Sequence, residues 1–248
     1  VHDAEELLEV LRNTATVIHA ALDAYRGDLG APGNRDGQYA LDLTTDAAAV
    51  AALEAAGLGI LSEESGRHHP DREICVVVDP VDGSTNASRG IPWYATSLAA
   101  VDAEGVVAAV VVNLATGTHY EAIRGRGARR DGQPMRVAAE VPVSDALVAV
   151  NGTPPRPLPW RQSRGFGAAA LELCLVAEGA VDAYVDCASG NLAPWDYLGG
   201  LLVLAEAGGV MLDREGRGLL TLDHAARRCP VAASGAGLAA ELVAAVGG

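Results

Sequence analysis

The segment Glu73-Ile74-Cys75-Val76-Val77-Val78-Asp79, with Pro80 directly behind it, constrains the fold more than any other part of the sequence. Its apolar positions do not alternate with polar ones, and all but Cys75 are β-branched. A strand written that way fits a sheet covered on both faces, because an open face would leave every second residue in water. The chain can supply the covering layers. It has 248 residues, 50% of them hydrophobic, enough for one large domain or two tightly packed halves. With one Phe and three Trp, its core must be mainly Ala, Val and Leu.

The pattern on either side of this strand has two rhythms. Residues 3–26 predict an amphipathic helix, with Leu7, Leu11, Ile18, Leu22 and Tyr25 on one face, Asp3 and Glu6 as a capping box, and a stop at Gly27. Residues 27–38 read as a polar, glycine-rich loop, and 44–56 as a second helix capped by Thr44 or Thr45. Strands follow at 59–62, 73–79, 94–101, 106–114 and 118–123, with turns at 102–105 and Asp131-Gly132. Residues 137–145 look like a seam. Beyond it strands and helices alternate: strands at 146–150, 181–186, 210–212 and 230–233, helices at 168–178, 195–207 and 238–246. Pro154, Pro155, Pro157 and Pro159 make a short stiff loop. The expectation is a layered protein with an α+β half (1–140), an α/β half (141–248) and a site between them.

Composition excludes several functions. A net charge of −14 argues against nucleic acid or an anionic membrane as partner. All 18 basic residues are arginine, so Schiff-base chemistry, a Walker P-loop and the kinase lysine are excluded. Any phosphate must be met by arginine, backbone N–H groups or metal ions. Cys75, Cys174, Cys187 and Cys229 form no CxxC pair and read as buried free thiols. No apolar run approaches the roughly 18–20 residues of a membrane helix, and the acidic start (2–9) is unlike a signal peptide. A cytoplasmic location is expected.

The chemistry concentrates in Asp79-Pro80-Val81-Asp82-Gly83-Ser84-Thr85-Asn86. A buried strand ends in one aspartate, proline removes a donor, and a second aspartate precedes Gly-Ser-Thr. Two carboxylates converging at a strand end repel each other unless a cation lies between them. The Gly-Ser turn could offer N–H groups to an anion. Alone, the segment also reads as an Asp-Pro turn with a capping serine. Further acids stand after a short apolar strand (Leu61-Ser62-Glu63-Glu64-Ser65), at the start of a helix (Asp42-Leu43-Thr44-Thr45-Asp46) and at the head of an apolar helix (Trp195-Asp196). Each in isolation is explained by a surface turn, a helix dipole or an N-cap.

In order, the chain carries DLTTD (42–46), EES (63–65), DPVDGSTN (79–86), GAAALEL (167–173) and WDYLGGLLVLAEAGG (195–209). This set resembles the inositol monophosphatase superfamily of metal-dependent phosphatases, from the first helix nearly to the C-terminus. The resemblance implies an α-β-α-β-α layered sandwich of the inositol monophosphatase and fructose-1,6-bisphosphatase type. It implies Glu63, Asp79, the Val81 carbonyl, Asp82 and Asp196 as ligands of two or three Mg²⁺ ions, with Mn²⁺ a possible substitute. Asp46 would act through water on a third ion. Gly83 and Ser84 would form the phosphate turn, Gly167, Ala168 and Ala169 the substrate-facing loop, and Asp186 a group for substrate hydroxyls. Hard carboxylate oxygens suit such ions. The expected reaction is in-line attack by metal-activated water on a small sugar or polyol phosphate, with Asp46, Ser84 and Glu63 taking part and no phosphoenzyme.

Departures from the family pattern are Ser84 for threonine, Ser62 for glycine, Gly37 or Gln38 where a lysine is common, Ala87 for phenylalanine, and a short 151–164 segment. They leave the implied metal site intact and bear on the substrate. Inositol monophosphate and fructose 1,6-bisphosphate are favoured; histidinol phosphate and 3′,5′-bisphosphate nucleotides are alternatives, and a non-catalytic phosphate-binding scaffold is the competing class. Arg164 is weighed as a contact to a second phosphate, against a solvated surface charge. His68-His69 reads as an exposed pair. A homodimer is typical of such proteins.

Overall fold

The computed structural model describes residues 3–34, 38–154, 156–188, 190 and 192–247. Gly37, Pro155 and residues 35–37 of the expected 27–38 loop lie outside that set. Helix α1 (Ala4–Ala24) buries Leu7, Leu8, Leu11, Ala15 and Ile18 along one face, the three-and-four spacing an amphipathic helix requires. The Asp3 N–H donates to Glu6 Oε2 at 3.1 Å and ties the first turn. Helix α2 (Ala40–Ala55) packs against α1.

The first sheet holds β1 (Gly59–Ser62), β2 (Gly66–His68), β3 (Cys75–Asp82), β4 (Ala95–Asp102), β5 (Gly105–Asn113), β6 (His119–Ile123), β7 (Ala128–Arg130) and β8 (Gln133–Pro134), in the order β2-β1-β3-β4-β5-β6-β7-β8. A short helix α3 (Ser84–Ser88) follows β3. The second sheet holds β9 (Leu147–Asn151), β10 (Gln162–Arg164), β11 (Ala183–Asp186), β12 (Val210–Asp213) and β13 (Pro230–Ala233), in the order β10-β9-β11-β13-β12. Helices α4 (Ala169–Ala177) and α5 (Pro194–Glu206) lie between the sheets, and α6 (Ala236–Gly247) covers the outer face of the second.

The layers are read from where alternate side chains go. Val76 and Val78 of β3 join a core with Leu7, Leu11 and Ile18 of α1 and Leu41, Ala49 and Leu53 of α2. Cys75 and Val77 face the other way, into a core with Leu171 and Leu173 of α4 and Leu198 and Leu202 of α5. Tyr184 and Ala232 of the second sheet close that middle core, while Val185 and Val231 turn to Leu238 and Leu242 of α6. The unbroken apolar run of β3 thus has a covered face on both sides, in an α-β-α-β-α sandwich. The middle layer is tight: a Cβ on Gly199 of α5 would stand 2.6 Å from Ser97 Oγ of β4.

Two expectations are corrected. Helix α2 begins at Ala40, not Thr44, because Asp42 Oδ2 accepts the Tyr39 N–H at 2.9 Å and caps the turn. The Thr45 hydroxyl instead bonds back to the Leu41 and Asp42 carbonyls, each at 3.0 Å. Asp46 therefore sits beyond the first turn. Strand β3 runs on through Pro80 to Asp82, since the register against β4 shifts between Asp79 and Asp82 and the proline falls in that irregularity. The short strands β2, β7, β8 and β10 escaped the sequence pattern because two or three residues, mostly exposed or half-buried, carry no periodicity. Cys75, Cys174 and Cys229 are buried and Cys187 is half-buried; all four are free. No described helix is long and apolar enough to cross a membrane.

Candidate metal and phosphate site

The site begins at the irregular end of β3. Asp79↔Ser97 and Asp82↔Ala95 are the last pairs on β4, so three steps on β3 oppose two on its neighbour. Pro80 and Val81 take up the difference, and Val81 falls outside the register. Both aspartates are buried, at 2% and 8% exposure. Asp79 Oδ1 accepts the Val81 N–H at 3.0 Å. Asp82 Oδ2 accepts the Ala170 N–H of α4 at 2.7 Å, which ties the first sheet to the middle layer.

Asp196 comes from the middle layer, in the first turn of α5, where its Oδ2 accepts the Ala193 N–H at 2.6 Å. Carboxylate oxygens of Asp79, Asp82 and Asp196 lie within 4.8 Å of one another. Burial, then Glu63 and then Asp82 push Asp79 well above the usual carboxylate range. Asp82 rises to about 8, chiefly through burial, against the lowering effect of the Ala170 N–H. Asp196 also rises to about 8, through burial and then Asp82. Acids so placed resist ionising together unless a cation joins them.

Glu63 follows β1 in the neighbouring turn, close enough for its charge to act on both Asp79 and Asp82. Asp46 is 5% exposed on α2 and is reached by the hydroxyl of Ser62, which donates to Asp46 Oδ1. Ser62 Oγ also accepts the Glu64 N–H at 3.0 Å, so one buried hydroxyl joins α2 to the turn that carries Glu63. All-oxygen donors at this spacing, mutually repulsive when empty, fit a small hard divalent cation. Asp79, Asp82 and Asp196 are the residues that would hold it; the expected Glu63 and Val81 carbonyl are not part of that cluster.

Gly83 and Ser84 come next along the chain. Gly83 has φ +83°, and a Cβ there would stand 3.0 Å from both Ala168 Cβ and the Gly167 carbonyl oxygen. Glycine is thus required twice over, by conformation and by contact between the halves. Gly167 has φ +86° and faces Asn86. The Asn86 amide donates to the carbonyls of Trp93 and Phe166, both at 2.8 Å. Glu172 Oε1 accepts the N–H groups of Phe166 and Gly167 at 2.8 and 3.3 Å. Burial pushes Glu172 up to about 7. Asn86 and Glu172 together fix the 166–169 loop against Gly83. Sequence reasoning quoted both residues inside motifs and gave neither a task; a side-chain clamp between distant segments leaves no periodic trace.

Asp186, at the end of β11, is fully buried. Its Oδ1 accepts from the Asn151 amide at 3.0 Å and the Ala188 N–H at 3.1 Å, while Oδ2 has no hydrogen-bond partner among the described residues. Burial lifts its pKa to about 6. Arg164 is exposed and, among the described residues, bonds only to its own strand, at Ser163 and Gln162. His69 is exposed, as expected, and bonds to Glu54; His68 is half-buried and meets Ser65.

Comparison with known proteins gives the family and the fold. The family model described as the inositol monophosphatase family matches residues 3–247. A fructose-1,6-bisphosphatase/inositol-1-monophosphatase of Archaeoglobus fulgidus is 35% identical over 185 residues, 73% of this chain and 71% of that one. An inositol-1-monophosphatase of Rhizobium meliloti is 38% identical over 157 residues, 57% of this chain and 58% of that one. The solved structure of an inositol monophosphatase from Anabaena superposes with a TM-score of 0.80 at 25% identity, covering 97% of this chain and 96% of that one.

Proposed function

The chain belongs to the inositol monophosphatase family, and from that membership we propose that it hydrolyses inositol monophosphate, fructose 1,6-bisphosphate or both, with Mg²⁺ as its cation. The observation that carries the reading is the meeting of Asp79, Asp82 and Asp196 from two separate layers, beside the Gly83-Ser84 turn. Divalent cations in such a site neutralise the substrate phosphate, polarise it and make water a competent nucleophile at neutral pH.

The chain's own residues do the rest. Asp79, Asp82, Asp196, Glu63 and the Val81 carbonyl bind the cations. Gly83 N–H and the Ser84 N–H and hydroxyl hold the phosphate. Glu63 and Asp46 orient the attacking water and accept its proton, Asp46 being fixed by Ser62. Gly167, Ala168 and Ala169 line the substrate side, kept in place by Asn86 and Glu172. The unpartnered Oδ2 of Asp186 accepts a substrate hydroxyl, since a buried acceptor without a donor costs about 1–3 kcal/mol until one arrives. Two or three ions, a homodimer and a cytoplasmic location belong to the same proposal; light scattering tests the dimer.

Phosphate release from inositol 1-phosphate, fructose 1,6-bisphosphate, histidinol phosphate and adenosine 3′,5′-bisphosphate, with Mg²⁺ and again with EDTA, tests the reaction. Turnover of one of the first two that EDTA abolishes is expected. Turnover confined to the last two would overturn the substrate, and failure of both Mg²⁺ and Mn²⁺ to raise the melting temperature would overturn the metal site.

A further inference from the structure

Away from the acid cluster, a second set of metal-binding side chains comes together on the surface, and the phosphatase reading makes no use of it. Glu54 stands in the last turn of α2. His68 ends β2, the edge strand of the first sheet, and His69 follows in the segment leading to β3. Glu54 Oε1 lies 3.1 Å from His69 Nε2 and 3.8 Å from His68 Nδ1, so two imidazoles address one carboxylate oxygen. These histidines are the only ion-pair partners of Glu54 among the described residues. Arg72, from the same segment as His69, is taken up by the Gly57 carbonyl at 2.6 Å.

Both histidines are held from behind. His68 Nε2 meets Ser65 Oγ at 2.9 Å. When Nε2 carries the proton and donates it to that hydroxyl, Nδ1 shows a lone pair to Glu54. A lone pair beside a carboxylate is repulsive unless a cation lies between them. Metal-ligating histidines are oriented in this way, one ring nitrogen on an outer oxygen and the other turned to the ion. His69 has φ +47°, a left-handed backbone uncommon outside glycine. Its carbonyl accepts the Arg72 N–H at 3.2 Å, and a Cβ on Gly59 would stand 2.9 Å from that oxygen, so β1 presses on the turn. Around a four-coordinate ion with bonds of about 2.0–2.2 Å, neighbouring donors stand about 3.3 Å apart. The two separations from Glu54 bracket that value.

We propose that Glu54, His68 and His69 form a surface site for a Zn²⁺ ion, which staples the end of α2 to the β1–β2 hairpin. The three donors do not all stand within 4.8 Å of one another, as the site acids do; rotation of the exposed His69 ring completes the set. Two imidazole nitrogens beside a single carboxylate select Zn²⁺ over Mg²⁺, and water fills the remaining position. Glu54 lies about 12 Å along α2 from Asp46, so this ion is separate from any at the acid cluster. The staple would join the helix that carries Asp46 to the hairpin whose turn carries Glu63. It is independent of the phosphatase reading.

The test titrates Zn²⁺ into the metal-stripped full chain by calorimetry, with Mg²⁺ in large excess to hold the acid cluster, at about pH 7.5 where imidazole is neutral. Wild type should bind one tight Zn²⁺ ion and melt at a higher temperature with it. His69→Asn and Glu54→Gln should each weaken that binding about a hundredfold or more, and Ser65→Ala, which removes only the outer oxygen, about tenfold. If a variant melts early, wild type alone decides: the ring signals of His68 and His69, out of six histidines, should move together in the NMR spectrum as Zn²⁺ is added. Binding that survives His68→Ala with His69→Ala and disappears in Asp82→Asn would place the ion on the acid cluster and overturn the proposal. No binding by wild type, or movement of only one of the two rings, would leave Glu54 as an acceptor for the histidines and overturn it equally.

Discussion

The acids of the site are held in two unlike ways. Asp79 and Asp82 stand on a strand buried along its whole length, between β1 and β4, with Asp82 also tied to α4. Asp186 stands at the end of a strand, and its Oδ2 has no hydrogen-bond partner among the described residues. A rigid frame suits groups that hold a cation at fixed spacing. Uncommitted donors and acceptors suit groups that wait for a substrate. The difference suggests that the first region sets whether the reaction happens and the second sets what enters.

Breaking the frame should cost most. Asp82→Asn should lower kcat by about a thousandfold or more if the cations supply most of the transition-state stabilisation, while the metal-free protein stays folded. A rate within tenfold of wild type would mean that Asp82 is not a ligand. Gly83→Ala puts a side chain at φ +83° and 3.0 Å from Ala168 and Gly167. It should destabilise by more than about 1 kcal/mol and lower kcat about a hundredfold by parting the halves. Denaturant melts and steady-state kinetics check both.

The acids also predict a pH signature. Burial raises Asp82 and Asp196 to about 8, so the folded metal-free protein binds more protons than the unfolded chain, whose aspartates titrate near 4. The contribution of these two acids to the stability of the metal-free protein should be fully present below about pH 4, decline as pH rises, and be lost through about pH 8. Mg²⁺ should raise the melting temperature more at pH 8 than at pH 5.5. A metal effect that is the same at both would sink the coupling between the acids.

Smaller effects sharpen the contrast. Asp186→Asn keeps an acceptor for Asn151 or Ala188 and replaces the free one by a donor; it should raise KM about tenfold and leave kcat and melting nearly unchanged. Ser62→Ala removes the hydroxyl shared by Asp46 and the Glu64 N–H. It should cost about 1–2 kcal/mol of stability and a few-fold in kcat. If Asp186→Asn changed kcat and Ser62→Ala changed KM, the division between the regions would be wrong.

Much of the fold was legible because burial writes itself into composition. The run at 73–79 announced a strand covered twice, and Val76 and Val78 do face one core while Cys75 and Val77 face another. Helices α1, α5 and α6 followed from spacing and from Gly stops. The start of α2 was not legible, because Thr44 and Thr45 look like caps and only the Tyr39–Asp42 bond shows that the turn is already closed. Pro80 read as the end of a strand, since a proline in an inner strand is tolerated only where the register breaks, and the register belongs to β4 as much as to β3.

The sequence by itself determined the family, the order of the motifs and the kinds of atoms on offer, because each of those is a local property of residue type and spacing. The tertiary structure decided which of them meet. Asp196 lies more than a hundred residues beyond Asp82, and only the packing of α5 on the first sheet brings their oxygens within 4.8 Å. The same holds for the clamp of Asn86 and Glu172 on residues 166 and 167. Attraction, repulsion and hydrogen bonding fall off over a few ångströms, and distance along the chain carries no information about which side chains come that close.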